Sequence, residues 1–260
     1  MTYKPPRRPQ FFYTTAPLPC PYVPGRVERK VVTEITGPDA DALHDRLSRA
    51  GFRRSHNIAY APVCPACSAC VPIRIDANAF TPDRGLRRVA KANEGVEGFE
   101  VPARATAEQF ALFQRYQQAR HGEGDMATMS FYDYRAMVED TPIETMVVEF
   151  RDAHDRLVGA CLADRLADGL SAVYSFFDPE LTRQSLGTWT ILWLIDRARA
   201  LKLPFVYLGY WVPDSRKMAY KARFTPSEIL AGGTWRLLTE ADLSPDACRT
   251  GTLLVPEPAA

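Results

Sequence analysis

Long apolar runs are absent from this 260-residue chain. No stretch approaches eighteen consecutive apolar residues, which excludes an α-helix crossing a membrane. The opening segment MTYKPPRRPQFFYTTAPLPCP is Pro-rich and lacks the apolar core of a secretory leader, so the expected location is cytoplasmic. Histidine is scarce. His44, His56, His121 and His154 are the only four, none sits in a recognised motif, and each is expected to be structural or at the surface. There is no G-x-S-x-G elbow, no H-E-x-x-H and no P-loop, which excludes the chemistries those motifs serve. An enzyme with this inventory works on a substrate that arrives already activated.

Net charge is also nearly absent, at +1, but the balance is uneven along the chain. Residues 1–105 hold 16 Lys and Arg against 10 Asp and Glu, and residues 106–260 hold 16 against 21. A basic first part points to an anionic partner such as nucleic acid. At 46% hydrophobic and 24% charged residues, the composition is that of a folded chain with a sizeable core.

Pro5, Pro6, Pro9, Pro17, Pro19, Pro21 and Pro24 predict an extended segment laid over a surface. Leu43, Leu47 and Ala50 predict a helix over 39–50, stopped by Gly51. IAYAP and VPIRID read as strands flanking a cysteine loop. A basic helix over 83–93 carries Arg84, Arg87, Arg88 and Lys91 on one face. Thr106 and Gln109 form a capping box for a helix over 107–120, and Ser130 caps another through Asp140. ETMVVEF, LVGACLADRL and LSAVYSFFDP then read as three strands, with Asp168-Gly169 marking a tight hairpin. The helix SLGTWTILWLIDRARALK, the strand FVYLGYWV, a short helix over 214–222 and strands near 227–230 and 234–238 follow. Antiparallel strands, a crossover helix and one more strand give an α+β fold in the order of a GCN5-related acyltransferase core. Charge and pattern change near 100–106. That change predicts a basic, cysteine-bearing N-terminal region, 1–105, and an acyltransferase-like domain, 106–260.

Three of the six cysteines, Cys64, Cys67 and Cys70, lie in CPACSAC, and Cys20 is the natural fourth thiolate. Such a cluster in a reducing compartment favours a metal over disulfides. Zinc and an iron–sulfur cluster both accept four thiolates, and reduced thiols in a compact loop are the other reading. Cys161 reads as core, and Cys248 has no visible partner. An acyltransferase of this order carries a Gly-rich turn before its helix, whose free N–H groups hold a pyrophosphate. Here the turn is TRQSLGT. Gln184 and Gly187 match the first half of the pattern, but Trp189 stands where a second glycine is needed.

Four runs in order, CPYVPGRVERKVVTE, GFRRSHNIAYAPVCPACSACVPIRI, RGLRRVAKAN and YLGYWVPDSRKMAYKARFTPSEIL, resemble the arginyl-tRNA–protein transferase family. The C-x-x-C-x-x-C loop and the single early Cys20 are similar to its bacterial branch, the aspartate/glutamate leucyltransferases. The resemblance implies transfer of leucine from leucyl-tRNA to proteins that begin with Asp or Glu, which marks them for N-degron degradation. The ester is activated, so the chemistry needs no cofactor. A zinc ion or iron–sulfur cluster on Cys20, Cys64, Cys67 and Cys70 would be structural or regulatory. Arg53, Arg54, Arg74, Lys217 and Lys221 are the candidates for substrate binding. Arg54, Lys217 or Lys221 is expected to grip the acidic side chain, and Arg74, Arg216 and Arg223 are further candidates for it. Lys217 and Lys221 lie on one face of the short helix, and Arg53 and Arg54 add charge near the tRNA candidates. Tyr207 or Tyr210, with backbone N–H groups of YLGYWV, is the candidate for the oxyanion. Arg84, Arg87, Arg88 and Lys91 are the candidates for tRNA phosphates. Two other readings are a metal- and tRNA-binding module without transferase activity, and a CoA-dependent acetyltransferase.

Overall fold

The computed structural model describes residues 9–122 and 124–243, so Cys248 lies outside the described residues. The chain begins with the short strands β1 (Tyr13–Thr14), β2 (Leu18–Pro19) and β3 (Val27–Glu28). Next come β4 (Lys30–Glu34), α1 (Ala40–Arg49), β5 (Arg53–Ser55), β6 (Ile58–Pro62) and β7 (Val71–Asp76). Helix α2 (Arg84–Ala92), strand β8 (Glu97–Pro102) and helices α3 (Ala107–His121) and α4 (Phe131–Glu139) lead to β9 (Thr145–Arg151). Strands β10 (Leu157–Leu166) and β11 (Gly169–Phe177) continue the meander, and α5 (Leu186–Ala200) crosses over to β12 (Phe205–Trp211). The hairpin β13 (Ser227–Ala231) and β14 (Thr234–Leu237) and a turn of helix, α6 (Glu240–Leu243), close the described chain.

The fold is mixed α and β around a central sheet of eight strands, ordered β14-β13-β7-β12-β11-β10-β9-β8. Every neighbour in it is antiparallel except β11 and β12, which α5 joins in parallel. A second sheet, β1-β4-β6-β5, carries α1. Strand β7 lies between β12 and β13, and β8 pairs with β9. The regions 1–105 and 106–260 therefore share one sheet.

Local chemistry explains the helix starts. Thr106 accepts the Gln109 N–H while Gln109 returns to the Thr106 N–H, and Ser130 and Asp133 do the same at α4. The Asp83 carboxylate accepts the Leu86 N–H at the start of α2. One face of the large sheet packs Val148, Cys161, Leu170, Val206 and Leu208 against Leu86 and the α5 residues Ile191, Leu194 and Ile195. The other face packs Val147, Leu162 and Phe176 against Leu112 and Phe113 of α3 and Tyr134 of α4. β10 is covered on both sides, which is why LVGACLADRL is apolar at consecutive positions with a single exposed residue, Arg165.

Residues 214–222 do not form the expected helix. The segment is a series of turns ending in a short 3-10 stretch, Ala219–Arg223. Pro213 and Pro226 bracket it, and Phe224 and Lys221 are both drawn inward. The spacing of Lys217 and Lys221 therefore defines no helical face.

Candidate functional site

β11 and β12 are in register at Gly169↔Phe205, Leu170↔Val206 and Ser171↔Tyr207, and then part. At the same point β12 shifts register against β7 between Tyr207 and Gly209, and Gly209 has φ +72°. This is a β-bulge, which twists the strand away from its neighbour. Arg53 reaches into the opening from β5. Its Nη2 donates to the carbonyls of Ala172 (3.1 Å) and Val173 (2.7 Å) on β11. Its guanidinium lies over Gly209, in space that a Cβ there would need. On the β12 side, Lys221 Nζ donates to the carbonyls of Leu208 (2.8 Å) and Tyr210 (2.7 Å). Two basic side chains thus hold backbone carbonyls of both strands just past the point where the strands separate. Among the described residues neither is ion-paired to a carboxylate. Burial first, then the Arg53 charge, push the Lys221 ammonium well below the usual lysine range. Arg53 also acts on Tyr22, Tyr210 and Tyr220, so the surroundings are phenolic rather than acidic. Burial raises Tyr22 to about 12.

Both tyrosines expected at the oxyanion are otherwise engaged. The Tyr207 hydroxyl accepts from Arg74 Nη1 (3.0 Å) and donates toward Asp168 (3.2 Å), at the end of β11 away from the opening. Burial, then the Asp168 charge, raise it to about 12. The Tyr210 hydroxyl spends its one proton on the carbonyls of Gly51 (3.0 Å) and Tyr60 (3.1 Å). Burial pushes its pKa far above the usual range. In this arrangement neither has a donor left for a developing oxyanion.

Three of the cations expected on the acceptor are likewise placed elsewhere. Arg54 makes a two-toothed pair with buried Asp164, Nε to Oδ2 and Nη2 to Oδ1 at 2.7 Å each, and its Nη1 donates to the His56 carbonyl. Asp164 also receives His44 Nε2 (3.1 Å) and Thr145 Oγ1 (2.8 Å). Arg74 pairs with Glu228 (2.6 Å), with its guanidinium over the Phe205 ring (3.5 Å) and near the Trp235 ring (4.4 Å). Lys217 is exposed, near His121. Of the five side chains expected to bind substrate, the opening holds Arg53 and Lys221, and Arg53 was not among those expected to grip the acidic side chain.

Arg84, Arg87, Arg88 and Lys91 are all exposed on α2, whose Leu86 faces the core. At the end of this helix, Asn93 Nδ2 donates to the Gln184 carbonyl (2.8 Å). The basic face therefore borders the turn between β11 and α5. That turn is not an open phosphate cradle. Ser185 is left-handed there (φ 53°), a Cβ at Gly187 would meet the Phe177 ring, and Trp189 is half-buried with its indole N–H unpaired.

Cys20, Cys64 and Cys67 all act on Cys70, whose thiol is pushed up to about 12 by burial first and by those neighbours next. The Arg29 N–H donates to Cys64 Sγ and the Val23 N–H to Cys20 Sγ, both at 3.4 Å. The donor types suit zinc or an iron–sulfur cluster. Yet among the described residues no three His, Cys, Asp or Glu side chains are grouped to hold a metal ion.

The bulge at Gly209 and the Arg53 contact with it were not anticipated. An isolated glycine inside FVYLGYWV is the signal for such a feature.

Comparison with known proteins places the chain. The model of the arginine-tRNA-protein transferase C terminus matches residues 108–231, and that of the N terminus matches residues 18–88. An aspartate/glutamate leucyltransferase of Gluconacetobacter diazotrophicus is 67% identical over 94% of this chain and 96% of its own. One of Granulibacter bethesdensis is 64% identical over 97% of this chain and 95% of its own. A solved structure of L-PGS from Bacillus licheniformis superposes with a TM-score of 0.49 at 11% identity, over 65% of this chain and 58% of that one. The chain belongs to the arginine-tRNA-protein transferase family.

Proposed function

We propose that this chain transfers leucine from leucyl-tRNA to the N-terminal Asp or Glu of proteins, and that the opening between β11 and β12 is where the acceptor binds. The family, and relatives named aspartate/glutamate leucyltransferase at 67% and 64% identity, support the reaction. One observation carries the acceptor assignment: Arg53 and Lys221 converge on this opening with no carboxylate partner among the described residues. The Arg53 cation, without an anion among the described residues, favours a ligand that supplies one, and Lys221 adds a buried basic group beside it. Arg53 spends Nη2 on β11, and its Nη1, which has no partner among the described residues, is left to donate to a carboxylate oxygen. The meander β9–β11, the crossover helix and the divergence of β12 support a GCN5-related acyltransferase-like core. The packed turn at Gly187 and Trp189 weighs against CoA as the donor.

The donor is an activated ester, so the protein has to orient, desolvate and manage protons. The acceptor amine attacks the leucyl carbonyl, a tetrahedral oxyanion forms near backbone N–H groups of β12, and the tRNA 3′-oxygen leaves. The basic face of α2 receives tRNA phosphates. The product begins with leucine, which serves as a degradation signal, and the reaction is cytoplasmic. Among the described residues no helix is long and apolar enough to cross a membrane.

The test mixes purified protein with labelled leucyl-tRNA and peptides beginning with Asp, Glu or Ala. Label should appear on the first two alone. Equal labelling of the Ala peptide, or none of any, contradicts the reading.

A further inference from the structure

Lys221 is held in a way that suits an amine better than an ammonium. Its side chain is 5% exposed, and Nζ has two acceptors, the carbonyls of Leu208 and Tyr210 at 2.8 and 2.7 Å. A lysine ammonium has three N–H donors. A neutral amine has two and a lone pair. Two acceptors satisfy the amine completely, whereas a third N–H would be buried without a partner and beside the Arg53 cation. The groups whose charge acts on Nζ are Arg53 from β5 and Cys70 from the loop ahead of β7. Tyr210 on β12 and Tyr220 on its own turn stay neutral, since burial raises both.

We propose that Lys221 is the general base of the transfer, taking the proton that the acceptor's α-ammonium must lose. This rests on the reading above. With the acceptor carboxylate on Nη1 of Arg53, a short carbon chain places its α-nitrogen in the same opening. The lone pair of Nζ accepts one proton from the α-ammonium, and the freed amine forms the amide bond to the leucyl carbonyl carbon. As the tetrahedral adduct collapses, the carbon–oxygen bond to the tRNA 3′-oxygen breaks. The adduct nitrogen releases its second proton to solvent water and the Lys221 ammonium returns its own to that oxygen, giving a neutral amide, deacylated tRNA and a regenerated amine. No oxidant, metal or further reactant is consumed.

The test uses the full chain, saturating leucyl-tRNA and an Asp-initiated peptide in single turnover from pH 6 to pH 9. Lys221→Arg keeps N–H donors but is a permanent cation and cannot act as a base. Lys221→Ala opens space for an added amine. The variants should lose about 10²–10⁴-fold in rate, the range for general-base catalysis, with KM for both substrates changed less than about threefold. Ethylamine should restore much of the Lys221→Ala rate. The low-pH limb of Lys221→Arg should move toward the value of a free α-amine, about 7.7–8.0. Wild-type rates in Lys221→Arg, or a loss in Lys221→Ala that ethylamine leaves untouched while circular dichroism shows a folded chain, overturn the proposal. If both variants fail to fold, the wild-type profile decides: a rate tracking only the acceptor's amine overturns it, and a limb displaced from that amine supports it. Absence of transfer by the wild-type protein contradicts the leucyltransferase reading instead.

Discussion

The guanidinium of Arg53 fills the space over Gly209 that any side chain at position 209 would occupy. The bulge in β12 and the arginine from β5 thus form one unit, which ties the small sheet to the opening in the large one. Gly209→Ala should expel Arg53 and strain a residue held at φ +72°. We expect kcat/KM for Asp-initiated peptides to fall about 100-fold or more, with about 1–2 kcal/mol lost in stability from the left-handed backbone. Steady-state kinetics beside urea unfolding checks it. An Ala variant with wild-type kinetics would show that Arg53 can work from elsewhere.

The Arg54–Asp164 pair is a structural staple rather than a binding group. Burial alone would raise the Asp164 carboxyl, but the hydrogen bonds from His44 and Arg54 and the Arg54 charge hold it below the usual range. Its contribution to stability is complete above the unfolded Asp value of about 3.9 and fades as pH falls through the lower folded value. Arg54→Met should cost about 3–5 kcal/mol near pH 7 by leaving a buried carboxylate without its cation. The Tm difference from wild type should narrow between pH 7 and pH 4, because protonation relieves the orphaned charge. A constant difference over that range would contradict the assignment.

If the hydroxyls of Tyr207 and Tyr210 serve packing, their removal should leave chemistry alone. Tyr207→Phe and Tyr210→Phe should each keep kcat within about threefold. Tyr210→Phe should cost about 1 kcal/mol for the lost bonds to the carbonyls of Gly51 and Tyr60. A 100-fold fall in kcat with Tm unchanged would return that tyrosine to the chemistry.

Much of this architecture was legible locally. The capping boxes at Thr106 and Ser130, and the strands IAYAP and VPIRID, depend on residues within a few positions of one another. β8 was hidden because EGFEVP carries two glutamates and is an edge strand among the described residues, whose strand partner, β9, lies some distance along the chain. The site was harder still. Arg53 and Arg54 are adjacent and carry the same charge, but a strand sends neighbours to opposite faces. One arginine enters the opening, while the other finds Asp164 at a separation of 110 residues. Which does which is decided by how β5 sits against the large sheet, and no short-range pattern carries that. Lys221 was misread for a related reason, since its i+4 relation to Lys217 suggested a helix where the chain makes turns.

The basic face of α2 should act through phosphates. The Arg87→Ala, Arg88→Ala double variant should weaken tRNA binding and lower the slope of log affinity against log salt by about 1.5 to 2. Both side chains are exposed, so Tm should stay within about 2 °C. Filter binding across a salt series checks this, and an unchanged slope would place the tRNA on another surface.

The central claim is that Arg53 holds the acceptor's carboxylate where β11 and β12 part. The most direct measurement is the transfer kinetics of Arg53→Met with Asp-, Glu- and Asn-initiated peptides at saturating leucyl-tRNA. The account predicts that kcat/KM for Asp and Glu falls at least about 100-fold. It also predicts that preference over Asn collapses and that KM for leucyl-tRNA changes less than about threefold. An Arg53→Met variant that still prefers Asp and Glu over Asn as strongly as the wild type contradicts it.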